Sequence, residues 1–123
     1  LKRKEFYLID SQDAVIGNPA YDLASLIDDV RLKTSNSLKE EMFNYFTNKY
    51  LNKDLKKFKN DFLILSVLRN FKILGIFSRL AKRDDKNKYL KYIPYTWSLI
   101  KLRTKNGKVF DELRFILNNN KFI

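Results

Sequence analysis

The acidic residues near the start of the chain are the first candidates for chemistry. Asp10 closes the apolar run Glu5-Phe-Tyr-Leu-Ile-Asp10, and Asp13 follows three residues later. A carboxylate at the C-terminal end of a strand, turned into a loop, is a common way to hold Mg²⁺ at the phosphates of a nucleotide. Strands ending in Asp are also frequent, so the pattern alone fits an ordinary strand end as well. Asp22 follows Asn18-Pro19 closely and falls in the first turn of a helix, where the positive end of the dipole favours an acid. Asp28 and Asp29 lie toward the other end of that helix and read as solvated charges on its face. Among the cations, Arg69, Lys72, Arg79 and Arg83 fall on one helical stripe. They form a solvent-facing or ion-paired edge on an otherwise buried helix, or else Arg69 or Lys72 faces a cleft and binds a ligand there.

Short-range patterns define the elements that must position these groups. Glu5 to Asp10 is aromatic and β-branched and too short for a helix, so it predicts one short strand. Asn18 can cap a helix and Pro19 fits its first position, where a missing N–H costs nothing. Ala20, Leu23, Ala24 and Ile27 then follow at the spacing of one buried face. After Ser35-Asn36-Ser37 a second helix is expected from about Leu38 to Leu51, with Leu38, Met42, Tyr45, Phe46 and Tyr50 inward. A third, from about Leu55 to Arg83, is apolar on three sides and should be the central element. Asp84 to Asn87 forms a turn, and Lys88 to Tyr92 a short helical segment. Pro94 restarts a helix through about Arg103, in which Tyr95 and Trp97 pack the core more readily than they stack on a ligand. Asn106-Gly107 turns again. A last helix, Val109 to Asn118, should bury Val109, Phe110, Leu113, Ile116 and Leu117.

Composition narrows the function. The 123 residues suit one domain, and 45% hydrophobic content with ten Phe, seven Tyr and one Trp supports a real core. Only three Gly and two Pro argue for long helices over a turn-rich β fold. The chain has no Cys, which excludes disulfides and thiolate metal sites and suits a reducing, cytoplasmic setting. It has no His, which excludes Ser-His-Asp and Cys-His catalysis and any His-bound zinc. With 25 basic and 14 acidic residues the formal charge is +11. That balance fits a solvated Lys-rich surface or an anionic partner. Arg69, Lys72 and Arg79 interrupt the most apolar stretch, Phe62 to Ala81, so no membrane span is expected.

Two blocks carry a resemblance. "LIDSQDAVIGNPAYDLASLIDD" (residues 8–29) resembles a segment of the aminoglycoside phosphotransferase and choline kinase-like family that reads roughly I-D-F-x-D-A-x-x-G-x-P-x-Y-D-L-A. "LRNFKILGIFSRLAKRDDKNKYLKYIP" (residues 68–94) is similar to a block found in that family's bacterial kinases for N-acetylmuramate and N-acetylglucosamine, which act at the anomeric position. The resemblance implies a mainly α fold: the helical C-lobe portion of a protein-kinase-like fold, with residues 1–123 forming that lobe behind one short N-terminal β-strand. It implies ATP as phosphate donor and a small-molecule sugar as acceptor. It places Asp10 as the Mg²⁺ ligand, Asp22 as support for the catalytic loop, and Asp13, Arg69 and Lys72 as possible cleft or substrate residues. Ser11 stands where the family has a large residue.

The family's catalytic loop, H-x-D-x-x-x-x-N, is not in the chain. The catalytic base is therefore expected upstream of Leu1, in an N-terminal portion of the same protein, and the isolated chain is expected to be inactive. The rival reading is a non-enzymatic basic helical module that binds nucleic acid or another anionic partner. No recognised nucleic-acid motif supports it.

Overall fold

A computed structural model describes residues 16–50 and 54–120. Helix α1 spans Pro19–Ile27, α2 Asn36–Tyr50, α3 Leu55–Asp84, α4 Ile93–Thr104 and α5 Asp111–Asn119. Short 3₁₀ segments, Asn87–Tyr92 and Lys108–Phe110, lead into α4 and α5. The described residues are mainly helical and contain no strand; the strand expected at Glu5–Asp10 lies outside them.

The helix boundaries follow from local chemistry. The Asn18 side chain accepts from the Ala20 N–H at 3.0 Å, and Pro19 takes the first position of α1. The same Asn18 donates from Nδ2 to Asp61 of α3 at 2.9 Å, which ties the start of α1 to the central helix. Asp54 caps α3 by accepting from the Lys56 and Lys57 N–H groups. At the far end Asp85 adopts the left-handed conformation at φ 51°, and the Lys86 N–H reaches back to the Leu80 carbonyl. Gly107, at φ 112°, makes the second sharp turn, in a conformation that disfavours a side chain.

The 30 residues of α3 make a rod about 45 Å long, with α1 and α4 both packed along it. Ala20, Leu23, Ala24 and Ile27 form a buried cluster with Phe58 and Phe62, and Met42, Phe43, Phe46, Leu63 and Leu65 pack around it. Phe43 lies 4.9 Å from the Phe62 ring, and Phe46 stacks on Phe58 at 5.8 Å. On the α4 side Leu99 and Ile100 are buried, and Phe71 meets Trp97 edge-on. Phe77 stacks on Tyr89 and touches Tyr92, which anchors the 3₁₀ segment.

Two expected faces are met only in part. Leu38, Tyr45 and Tyr50 of α2 are exposed, with Tyr45 at 61%, while Lys39 and Thr47 are buried. Met42 and Phe46 pack against the core as expected, joined by Phe43, and the inward face is turned from Leu38, Tyr45 and Tyr50 toward Lys39 and Thr47. Lys39 lies beneath α1, bonded to the Ile27 carbonyl and to Asp28. In the last segment Phe110 and Leu117 are buried and Leu113 is half-buried, whereas Val109 and Ile116 face solvent.

The core assignment makes a direct expectation. Phe62→Ala removes a ring packed on both Phe43 and Arg103 and costs about 3–5 kcal/mol. Tyr45→Ala, on the open side of α2, changes stability by no more than about 0.5 kcal/mol. Urea denaturation of the two variants checks this, and similar losses for both would contradict the assigned roll of α2.

Candidate functional site

Asp28 is the most constrained ionisable group among the described residues. The sequence reading placed it on a solvated face, but it is fully buried, at 0% exposure. It caps the C-terminus of α1, with its own N–H bonded to the Ala24 carbonyl at 2.9 Å. Arg103 of α4 donates Nε to Oδ2 and Nη2 to Oδ1, both at 2.8 Å. Ser66 of α3 donates to Oδ2 at 2.6 Å, and Lys39 of α2 to Oδ1 at 3.2 Å. One carboxylate therefore joins four helices. The carbonyls at the end of α1 are also satisfied: Lys39 bonds the Ile27 oxygen at 2.6 Å and Arg69 bonds the Asp28 oxygen at 3.2 Å.

Burial alone would raise the pKa of Asp28. The hydrogen bonds and positive charge of Arg103, with help from Ser66 and Lys39, outweigh it and hold the carboxyl below its ordinary value. The planar fork of Arg matches a carboxylate at two points, which a Lys at 103 could not do. The Arg103 guanidinium also lies over the Phe62 ring, 5.0 Å from its centroid, so the polar hub sits directly on the apolar core. Asp29, the neighbouring acid, pairs with Arg31 at 2.7 Å near the surface.

Of the expected site residues, Asp22 lies in the first turn of α1, exposed, with no ion pair among the described residues. Arg69 points to the end of α1 and bonds the Asp28 carbonyl. Lys72 is exposed one turn further along α3. Of the stripe's other cations, Arg79 is exposed and Arg83 pairs with Asp84. Asp22 and Arg69 thus mark opposite ends of α1. Asp10 and Asp13 lie outside the described residues. Among the described residues no group of three or more His, Cys, Asp or Glu could hold a metal, and no helix is long and apolar enough to cross a membrane.

The chain is similar to two curated sugar kinases. One is the N-acetylmuramate/N-acetylglucosamine kinase of Caulobacter vibrioides, 34% identical over 90 residues, covering 73% of this chain and 25% of the relative. The other is the N-acetylmuramate/N-acetylglucosamine kinase of Neisseria meningitidis serogroup B, 32% identical over 93 residues, covering 71% of this chain and 28% of the relative. The chain thus spans about a quarter of the length of these relatives. No protein-family model matches it, so the wider aminoglycoside phosphotransferase grouping rests on the two sequence blocks alone. No solved structure matches it either.

Sequence reasoning missed Asp28, although a signal was present. Ala20, Ala24 and Asp28 are four residues apart, so Asp28 continues the buried face of α1. Ser66 and Asn70 likewise extend the stripe of Phe58 and Phe62 on α3. An acid and two small polar residues on facing buried stripes require internal partners.

Titration tests the hub. The folded-state pKa of Asp28 is lowered, so its stabilisation is fully present above the unfolded value of about 4 and is lost as the pH falls through the native value. The melting temperature of the native chain should fall below about pH 4 more steeply than that of Asp28→Asn. Parallel pH profiles for the two would show that the carboxylate is not held as described.

Proposed function

We propose that this chain is the helical C-terminal part of an ATP-dependent small-molecule kinase that phosphorylates a sugar hydroxyl on a cell-wall amino sugar, N-acetylmuramate or N-acetylglucosamine. The observation that carries this reading is the similarity, over almost three quarters of the chain, to two proteins named for that activity. The order of the two sequence blocks supports it, as does the placement of Asp22 at the start of a helix fixed at both ends.

In this reading Asp10 is the Mg²⁺ ligand beneath the ATP phosphates. A hard carboxylate oxygen suits Mg²⁺, and the ion neutralises charge on the phosphoryl group being transferred. Asp22 holds the catalytic loop, whose Asp and Asn lie upstream of Leu1. Asp13 and Lys72 border the acceptor cleft, while Arg69, bonded to the Asp28 carbonyl, supports the end of α1. What the described residues contribute is position. Asn18 and Asp28 fix the two ends of α1, so the backbone that carries Asp22 is held in place. Such fixing matters because phosphoryl transfer depends mostly on positioning and electrostatic stabilisation.

Two outcomes follow. The purified 123-residue chain should show no turnover of ATP with N-acetylglucosamine, because it carries neither the base nor the loop that holds it. Joined to the coding sequence upstream of Leu1, it should phosphorylate the sugar in the presence of Mg²⁺, and that upstream sequence should contain an H-x-D-x-x-x-x-N pattern. In the active protein Asp10→Asn should lower kcat by several orders of magnitude, since an amide is a poor Mg²⁺ ligand. A change within about tenfold, equal to about 1.4 kcal/mol of barrier, would sink the metal assignment. An upstream sequence without the pattern would sink the kinase reading itself.

A further inference from the structure

We infer that the cleft between the α1–α2 connection, α4 and α5 is a binding site for a phosphate dianion, free or carried by a small molecule. The cleft has a volume of about 600 Å³ and includes Lys33, Lys39, Lys101, Lys105 and Arg114 in its lining, with no acidic side chain. That size suits a small metabolite. It shares no residue with Asp22, Arg69 or Lys72, and the inference does not depend on the kinase reading.

The charge balance beneath the cleft is the main support. Lys39 is only 3% exposed, yet it lines the cleft. Lys39 and Arg103 both bear on the single carboxylate of Asp28, and Arg103 takes it with two bonds at 2.8 Å against one bond of 3.2 Å from Lys39. One negative charge thus faces two positive charges, Lys39 buried and Arg103 13% exposed. Burying an uncompensated ammonium is costly unless a counter-ion reaches it. Lys39 has three N–H donors and uses two, on Ile27 and Asp28.

Unused hydroxyls give a second, independent support. The Thr34 and Tyr95 oxygens are both buried without a hydrogen-bond partner, and both residues line the cleft. Buried polar atoms are normally satisfied, and of the three orphaned side-chain atoms among the described residues these two belong to the lining of the cleft, the third being Asn70 Oδ1. The Lys33 and Lys39 ammonium groups also flank the Tyr95 ring, at 5.8 and 5.9 Å from its centroid. A phosphate has acceptor oxygens for several donors at once, and Lys39, Thr34, Tyr95 and the rim lysines all line this cleft. Leu99 and Leu102 offer apolar wall for the remainder of the molecule.

Isothermal titration of the 123-residue chain at physiological salt tests the site, with inorganic phosphate in one arm and glucose 6-phosphate in the other. Saturable binding is expected in at least one arm. Tighter binding of the ester identifies a phosphorylated metabolite as the occupant, and equal binding identifies the free ion; either supports the site. The double variant Lys33→Ala/Lys101→Ala removes rim charge without touching the hub and should weaken binding at least tenfold. The control Lys56→Ala/Lys57→Ala, at the start of α3, should leave it within twofold, and circular dichroism should show both variants folded. No saturable binding in either arm, or equal loss in the two variants, would overturn the assignment.

Discussion

The carboxylate of Asp28 is the constraint on which the remaining packing depends. It ends α1, receives Arg103 from α4 at two points, and takes one bond each from α3 and α2. The apolar faces of these helices supply the driving force for association, which has little direction of its own. The hub supplies direction. A helix could slide or roll along the α3 rod with modest change in buried area, but it could not do so and still bond both oxygens of one buried carboxylate. The roll of α2 shows this most clearly. Leu38 and Tyr45 are left exposed, while Lys39 is turned beneath α1, where its ammonium bonds the Ile27 carbonyl and one Asp28 oxygen.

The same constraint links packing to the proposed chemistry. Helix α1 is short, and Asn18 fixes its start to α3 through Asp61 while Asp28 fixes its end. Asp22 therefore rides on a rigid segment and not on a loop, which is what a residue holding a catalytic loop requires. Arg69, expected to face a cleft, bonds the Asp28 carbonyl and so belongs to the support of that segment in the described structure. Lys39 is the point where support and charge meet: it completes the hub from one side and brings positive charge to the wall of the basic cleft from the other.

Much of the fold was legible in the sequence because its signals are local. Asn18-Pro19 announced α1, the long apolar run announced α3, and Pro94 and Gly107 marked the breaks, each within one residue or so of its place. Faces were less legible than boundaries. The apolar residues of α2 wrap around more than one face, and the position that turns deepest inward is Lys39, whose partner Asp28 lies eleven residues earlier at the end of another helix. Asp28 was misread for a related reason: its principal partner, Arg103, lies 75 residues away. In a chain with 25 basic residues an acid has many conceivable partners, and sequence alone does not say which one is buried. Of the candidate site, the position of Asp22 at a helix start was readable. The roles of Asp10 and Asp13 rest on the resemblance and lie outside the described residues.

A double-mutant cycle on Asp28 and Arg103 tests the central claim most directly. Unfolding free energies are measured for the native chain, Asp28→Ala, Arg103→Ala and the double variant. If the buried pair fixes the helices as described, each single change is strongly destabilising, on the order of 3–5 kcal/mol for loss of the carboxylate, and the double variant is much less than additive, with a coupling of about 2 kcal/mol or more. Additive losses, with a coupling below about 0.5 kcal/mol, would mean that the two side chains act independently and that Asp28 does not hold the fold together.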